Sequence, residues 1–152
     1  MKLGKVLAEK KDGGHLPVIP ADATLREAGN MLCARHVGAL LVHEPGDPGR
    51  YLGIVSNRDI IRHLCCGGGD FADPVGRIMS ADMIVATDKD DVDYVLRVMV
   101  RHHIRQVPVI AERRVVGMLT MTDLLRSVHA DDELRIQHMQ DYLGGTYGNR
   151  VF

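Results

Sequence analysis

Two stretches of this chain repeat one another in register. Gly53-Ile54-Val55-Ser56-Asn57-Arg58-Asp59-Ile60-Ile61 returns as Gly117-Met118-Leu119-Thr120-Met121-Thr122-Asp123-Leu124-Leu125, with glycine, hydroxyl and aspartate each displaced by 64 positions. Repetition of apolar residues alone would reflect shared packing. A hydroxyl and a carboxylate recurring three apart, at the same strand-to-helix junction, point to duplicated polar chemistry. The repeat extends upstream at a spacing of 67 positions: Thr24 to Ala28 and Met31-Leu32 match Asp91 to Val95 and Val98-Met99, and His36 to Val42 matches His103 to Val109. The spacing shrinks afterwards because the first copy carries the longer loop Glu44 to Arg50 where the second has Ala111 to Arg114. Such length changes belong in surface turns.

The 152 residues fall within the range of one ordinary domain. Halves of about sixty residues are too small to bury a core comfortably alone, so the two copies are expected to pack on each other. A net charge of −1, no tryptophan and few other aromatics (Phe71, Phe152 and four tyrosines) argue against a general nucleic-acid surface. No apolar run approaches the roughly twenty residues a membrane span needs, and Met1-Lys2-Leu3-Gly4-Lys5 leads into a charged segment instead of a signal sequence. Cys33, Cys65 and Cys66 are odd in number, and the vicinal pair suits an ordinary structural disulfide poorly, so a reducing compartment is expected. The reading is a cytoplasmic protein without a membrane partner.

Periodicity and punctuation order the elements. A leader (Val6, Leu7) and a turn at Asp12-Gly13-Gly14 precede a brief strand at Pro17-Val18-Ile19. Thr24 and Glu27 form a capping box for a helix carrying Leu25, Ala28, Met31 and Leu32 on one face, which Gly38 is expected to stop. Ala39 to His43 and Tyr51 to Val55 read as a hairpin, followed by a helix from about Asn57 to Cys65. The glycine run 67–69 opens a linker. The second copy repeats the order with Met83 to Ala86 as strand, Val92 to His103 as helix, Gln106 to Ile110 and Val115 to Leu119 as a hairpin, and a helix to about His129. A separate acid-capped helix is expected from Asp131-Asp132-Glu133 to Gly144-Gly145. The partition is thus 1–66 for leader and first repeat, 67–77 for the linker, 78–129 for the second repeat and 130–152 for a terminal helix and tail. The fold class is α/β (α+β), with two β-α-β-β-α repeats.

These motifs resemble the tandem cystathionine-β-synthase (CBS) domain pair, or Bateman module, and in particular stand-alone bacterial CBS-pair proteins. The strands His36 to Val42 and His103 to Val109, the segments Gly53 to Asp59 and Gly117 to Asp123, and Ile78-Met79 before the second copy carry the resemblance, over roughly Pro17 to Val128. It implies two repeats packed with pseudo-twofold symmetry around clefts that take adenosine-containing ligands: AMP, ADP, ATP or S-adenosylmethionine. It further implies crossed sites. One would combine Ser56, Arg58 and Asp59 with Ile104, Arg105, Gln106 and Pro108, and the other Thr120, Thr122 and Asp123 with Val37, Gly38 and Ala39. The chemistry is coherent in itself: a carboxylate accepts both hydroxyl protons of a ribose diol, and hydroxyls and free amides at a helix start hold phosphate. Arg105 has Gly38 as its counterpart, so the Asp59 site, with Arg58 and Arg105, is expected to favour phosphates and the Asp123 site a less charged adenosine. Homodimerisation and an unidentified protein partner are further family expectations.

Other readings compete at each motif. Ser56 with Asp59 and Thr120 with Asp123 also fit plain helix caps. Cys65-Cys66 lacks any spacing that completes a metal ligand set, and His36 and His103 fit helix ends, where a cation suits the dipole. The glycine run has no Lys-Ser/Thr after it and is read as a linker. No nucleophile-base pair or required cofactor is visible, so the expectation is a regulatory ligand-binding module and not an enzyme. The alternative is a constitutive homodimeric adaptor with vestigial nucleotide sites.

Overall fold

The structure is a computed structural model and describes residues 1–10 and 16–144. The chain forms two compact units, His15–Val85 and, as the other, Met1–Gly14 with Ala86–Phe152. The leader, which the linear partition groups with the first repeat, belongs to the unit of the second. The linker and the residues that follow it, up to Val85, complete the unit of the first.

In the first-repeat unit, β1 (Val18–Pro20) pairs in parallel with β2 (Ala39–Glu44), and β2 pairs antiparallel with β3 (Asp47–Ser56). Ala39 to His43 are all buried, as expected of a central strand covered on both faces. Strand β3 starts at Asp47, so most of the expected Glu44 to Arg50 loop is strand and the turn tightens to Pro45-Gly46. Helix α2 (Leu25–Arg35) begins with the expected box: the Thr24 N–H donates to Glu27 Oε2 at 2.7 Å and the Glu27 N–H to Thr24 Oγ1 at 3.2 Å. It ends earlier than Gly38, at His36, whose φ of 53° is left-handed and whose N–H reaches the Leu32 and Cys33 carbonyls. Helix α3 (Asn57–Cys66) follows β3. The core joins Ile19, Leu25, Leu32, Leu40, Val42, Val55, Ile60 and Val75. Each such side chain contributes about 1.5 to 3 kcal/mol on burial.

In the second-repeat unit, β4 (Ala86–Thr87) pairs in parallel with β5 (Gln106–Ala111), and β5 antiparallel with β6 (Arg114–Thr120). Of the expected strand Met83 to Ala86 only Ala86 is in the ladder, because pairing begins at Ala86 opposite Val109. Helix α4 (Val92–Arg101) is followed by His103 at φ 54°, the repeat equivalent of His36 in the same left-handed conformation. The leader forms α1 (Leu3–Glu9), a helix that the sequence reading does not anticipate. Leu3 and Val6 enter a core with Val92, Val95, Met99, Val107, Val109, Leu119 and Leu124. Helix α5 runs unbroken from Met121 to Gly144, through the expected break near Ala130. The reason is local: no glycine or proline interrupts 121–143, and His129 pairs with Glu133 one turn on at 3.4 Å. The Asp12-Gly13-Gly14 turn, Gly145 and Phe152 lie outside the described residues. No helix among the described residues is long and apolar enough to cross a membrane.

Candidate functional site

Each repeat delivers its polar motif at the step from its last strand into the next helix. At the end of β3, Ser56 is extended (φ −109°), and its Oγ accepts the Asp59 N–H at 3.2 Å. Asp59 Oδ2 in turn accepts the Ser56 N–H and the Ser56 hydroxyl, both at 2.8 Å. Ala39 lies opposite Ser56 in the ladder, and the Asn57 N–H donates to the Gly38 carbonyl at 3.0 Å. Val37 and Gly38 are half-buried, and Arg58 is exposed on the first turn of α3.

The second copy repeats the two reciprocal backbone bonds. The Asp123 N–H donates to Thr120 Oγ1 at 3.1 Å and the Thr120 N–H to Asp123 Oδ2 at 2.8 Å. Gln106 lies opposite Thr120, and the Met121 N–H donates to the Arg105 carbonyl at 2.9 Å. Thr122 and Arg105 are exposed, Ile104 is half-buried, and Pro108 is buried opposite Met118, further along β5. Within each unit the structure therefore brings the helix-start residues beside the strand start of their own repeat.

The capping reading is met at both junctions, since the reciprocal bonds are present. Capping uses only Oδ2 of each aspartate; Oδ1 accepts no hydrogen bond from the described residues. Each half-buried carboxylate thus keeps an oxygen able to accept a ligand hydroxyl.

One residue of the site has no signal in the sequence. Lys10, at the end of α1 and 113 positions away, places its ammonium 3.1 Å from Asp123 Oδ2 and 2.9 Å from the Met118 carbonyl. Asp59 has no such ion pair among the described residues. Burial pushes the Asp123 carboxyl up, but the backbone and side chain of Thr120 together with Lys10 outweigh it and hold it below the ordinary carboxylate range.

The glycines of the repeated motif, by contrast, serve packing. Gly53 and Gly117 are both buried, and each lets another segment of its unit cross close to the strand: the Ser80 backbone at Gly53 and the Leu7 side chain at Gly117. Cys33, Cys65 and Cys66 are free and exposed. His63 accepts a structural role, bonding Asp73 Oδ2 through Nε2 at 2.8 Å.

Comparison with known proteins agrees with this architecture. The CBS domain family matches residues 14–65 and 75–130. The mitochondrial CBS domain-containing protein CBSX3 of Arabidopsis thaliana is 30% identical over 129 residues, which are 83% of this chain and 63% of that protein. The chain thus spans slightly less than two thirds of that relative's length. A CBS domain protein of Pyrobaculum aerophilum, solved in complex with AMP, is similar at 30% identity and a TM-score of 0.69, covering 81% of this chain and 89% of its own. A CBS-domain protein of Burkholderia ambifaria is similar at 26% identity and a TM-score of 0.80, covering 86% and 96%. With two matches in tandem over most of its length and the same mixed α/β fold, the chain belongs to the CBS domain family as a pair of CBS domains.

Proposed function

We propose that this CBS pair is a regulatory module for adenosine-containing ligands, holding ribose hydroxyls on the Asp59 and Asp123 carboxylates. The observation that carries the reading is the duplicated junction: two half-buried aspartates, each fixed through Oδ2 and each keeping Oδ1 for a ligand. The AMP complex of the Pyrobaculum relative supports the ligand class. A charge-assisted hydrogen bond from a hydroxyl to such a carboxylate contributes about 1.5 to 3 kcal/mol. Ser56, Arg58, Thr120 and Thr122 are the groups proposed for phosphates or further hydroxyls. Val37 to Ala39 and Ile104, Arg105, Gln106 and Pro108 are proposed to flank the base and sugar.

In this reading the protein catalyses nothing and needs no cofactor. It acts in the cytoplasm as a homodimer, and ligand occupancy shifts it between two states that a protein partner reads. Such a shift requires different affinities for the two states. Thermal unfolding with AMP, ADP, ATP and S-adenosylmethionine tests it, since a ligand at 100 times its Kd adds about 2.7 kcal/mol to native stability. Asp59→Ala and Asp123→Ala should each weaken binding at their own site by about 1.5 to 3 kcal/mol and spare the other. Equal affinities in wild type and both variants would remove the site assignment.

A constitutive adaptor is the second reading, favoured by the exposed Leu125, Leu134, Ile136 and Met139 on α5. It expects no ligand-dependent stabilisation by any of the four compounds.

A further inference from the structure

The two aspartates differ in a way that the repeat does not contain. Asp123 carries a cation from the leader, and the pair is largely shielded: the Lys10 side chain is 22% exposed and that of Asp123 19%. The origin of that cation is fixed by packing. Leu3 and Val6 are in the core, the Leu3 and Gly4 N–H groups donate to the Asp90 and Asp88 carbonyls at 3.0 and 2.8 Å, and Leu7 lies against Gly117. Helix α1 therefore sets where Lys10 begins, and its flexible stem sets where the ammonium can go.

Asp123 Oδ2 already accepts the Thr120 N–H, so Lys10 fills its remaining lone pair. One ribose hydroxyl can use the free Oδ1, but a diol that also engages Oδ2 must displace the Lys10 ammonium at Asp123, where at Asp59 it would displace the Ser56 hydroxyl. A neutral adenosine offers Lys10 nothing in return. A ligand with a 5′-phosphate offers it a new anionic partner, whereas a sulfonium adds a like charge. The crossed sites implied by the family resemblance suggest the opposite preference, because they assign Arg58 and Arg105 to the Asp59 site; in the structure the Arg105 backbone lies beside Met121, and the cation bonded to Asp123 is Lys10, from a distant segment.

We infer that Lys10 is a specificity-determining residue of the Asp123 site, making it select anionic adenosyl ligands over neutral or cationic ones. The inference rests on Asp123 as a ribose carboxylate. Calorimetric titration of AMP, adenosine and S-adenosylmethionine into the full chain carrying Asp59→Ala isolates that site, and the same titrations follow addition of Lys10→Met or Lys10→Arg. With Lys10 present, AMP should bind at least about tenfold tighter than adenosine, as one charge-assisted bond provides. Lys10→Met should bring the ratio to within about twofold, mainly by tightening adenosine as Asp123 is released, and Lys10→Arg should retain the preference. A ratio that Lys10→Met leaves unchanged, in a protein with an unaltered melting profile, overturns the inference while Asp123 stands as a ligand site. Should Lys10→Met melt early, loss of the preference in a milder Lys10→Gln protein supports the inference and its retention overturns it. Ligand binding by wild type but not by Asp59→Ala overturns the Lys10 role and leaves only the Asp59 site; no binding by wild type removes the functional reading as well.

Discussion

Ile54 and Ser80 exchange two backbone hydrogen bonds: the Ile54 N–H donates to the Ser80 carbonyl at 3.0 Å and the Ser80 N–H to the Ile54 carbonyl at 2.9 Å. The crossing is close because the preceding residue is Gly53, where a Cβ would stand 2.5 Å from the Ser80 carbonyl oxygen. At Gly117 the crossing segment presents a leucine side chain instead of backbone. The same glycine in the two copies therefore answers two different neighbours.

Gly53→Ala should consequently cost about 1 to 3 kcal/mol, the usual penalty for forcing an extra carbon into a packed region. Gly117→Ala should cost less, since Leu7 can change rotamer where the Ser80 peptide cannot. Urea unfolding of both variants checks the order. Equal losses would mean that α1 is held as stiffly as the segment around Ser80.

Acid should destabilise the protein through three carboxyls that the fold holds below their ordinary range. Asp123 is lowered because its Thr120 and Lys10 bonds outweigh the opposing effect of burial, Asp91 by the Lys2 hydrogen bond, and Asp73 by the Asp70 N–H and then His63. A carboxyl lowered in the native state stabilises it above the unfolded value, near pH 4, and that contribution disappears as pH falls through the native value. Urea midpoints should therefore be flat from pH 7 to about 5 and decline below about 4. Asp123→Asn should shallow the decline. An unchanged slope in that variant would show that Asp123 titrates alike in both states.

Much of this architecture is legible because local signals and tertiary demand agree. Thr24 with Glu27 announces α2, the apolar runs at Ala39 and Gln106 announce central strands, and the doubled Ser/Thr-to-Asp spacing marks both junctions. The rest depended on contacts between distant segments. Helix α1 is seven residues long and takes its stability from Leu3 and Val6 in a core made mostly of residues beyond Ala86. Lys10 meets Asp123 only through that docking. Met83 to Val85 read as strand on composition, yet they have no partner in the ladder that starts at Ala86.

The glycine linker should loosen when Asp73 is removed. Asp73 Oδ2 accepts from the Asp70 N–H at 2.9 Å and meets His63 Nε2 at 2.8 Å, while Oδ1 accepts from Arg77 at 3.1 Å. The Gly67 and Gly69 N–H groups both donate to the His63 carbonyl at 3.1 Å. Asp73→Ala should speed hydrogen exchange at Gly67, Gly69 and Asp70 with little change in the core amides, whereas Asp73→Asn, which keeps an acceptor, should speed it less. Equal exchange in all three proteins would place the restraint on the linker elsewhere.

A proline at position 132 distinguishes one continuous α5 from two helices meeting near Ala130. If a separate helix started with Asp131 as its cap, Asp132 would be its first residue, where proline is readily accepted because that N–H has no partner within the helix. In the continuous helix, Asp132→Pro removes an interior N–H and drives its ring against the Val128 carbonyl, at a cost of about 3 kcal/mol or more. Val128 packs on the core, but Leu134, Ile136 and Met139 are exposed, so the damage should stay in the distal half. Circular dichroism should thus show a loss of helical signal with the main unfolding midpoint nearly unchanged. An undiminished helical signal would restore the two-helix arrangement read from the acidic cluster at Asp131 to Glu133.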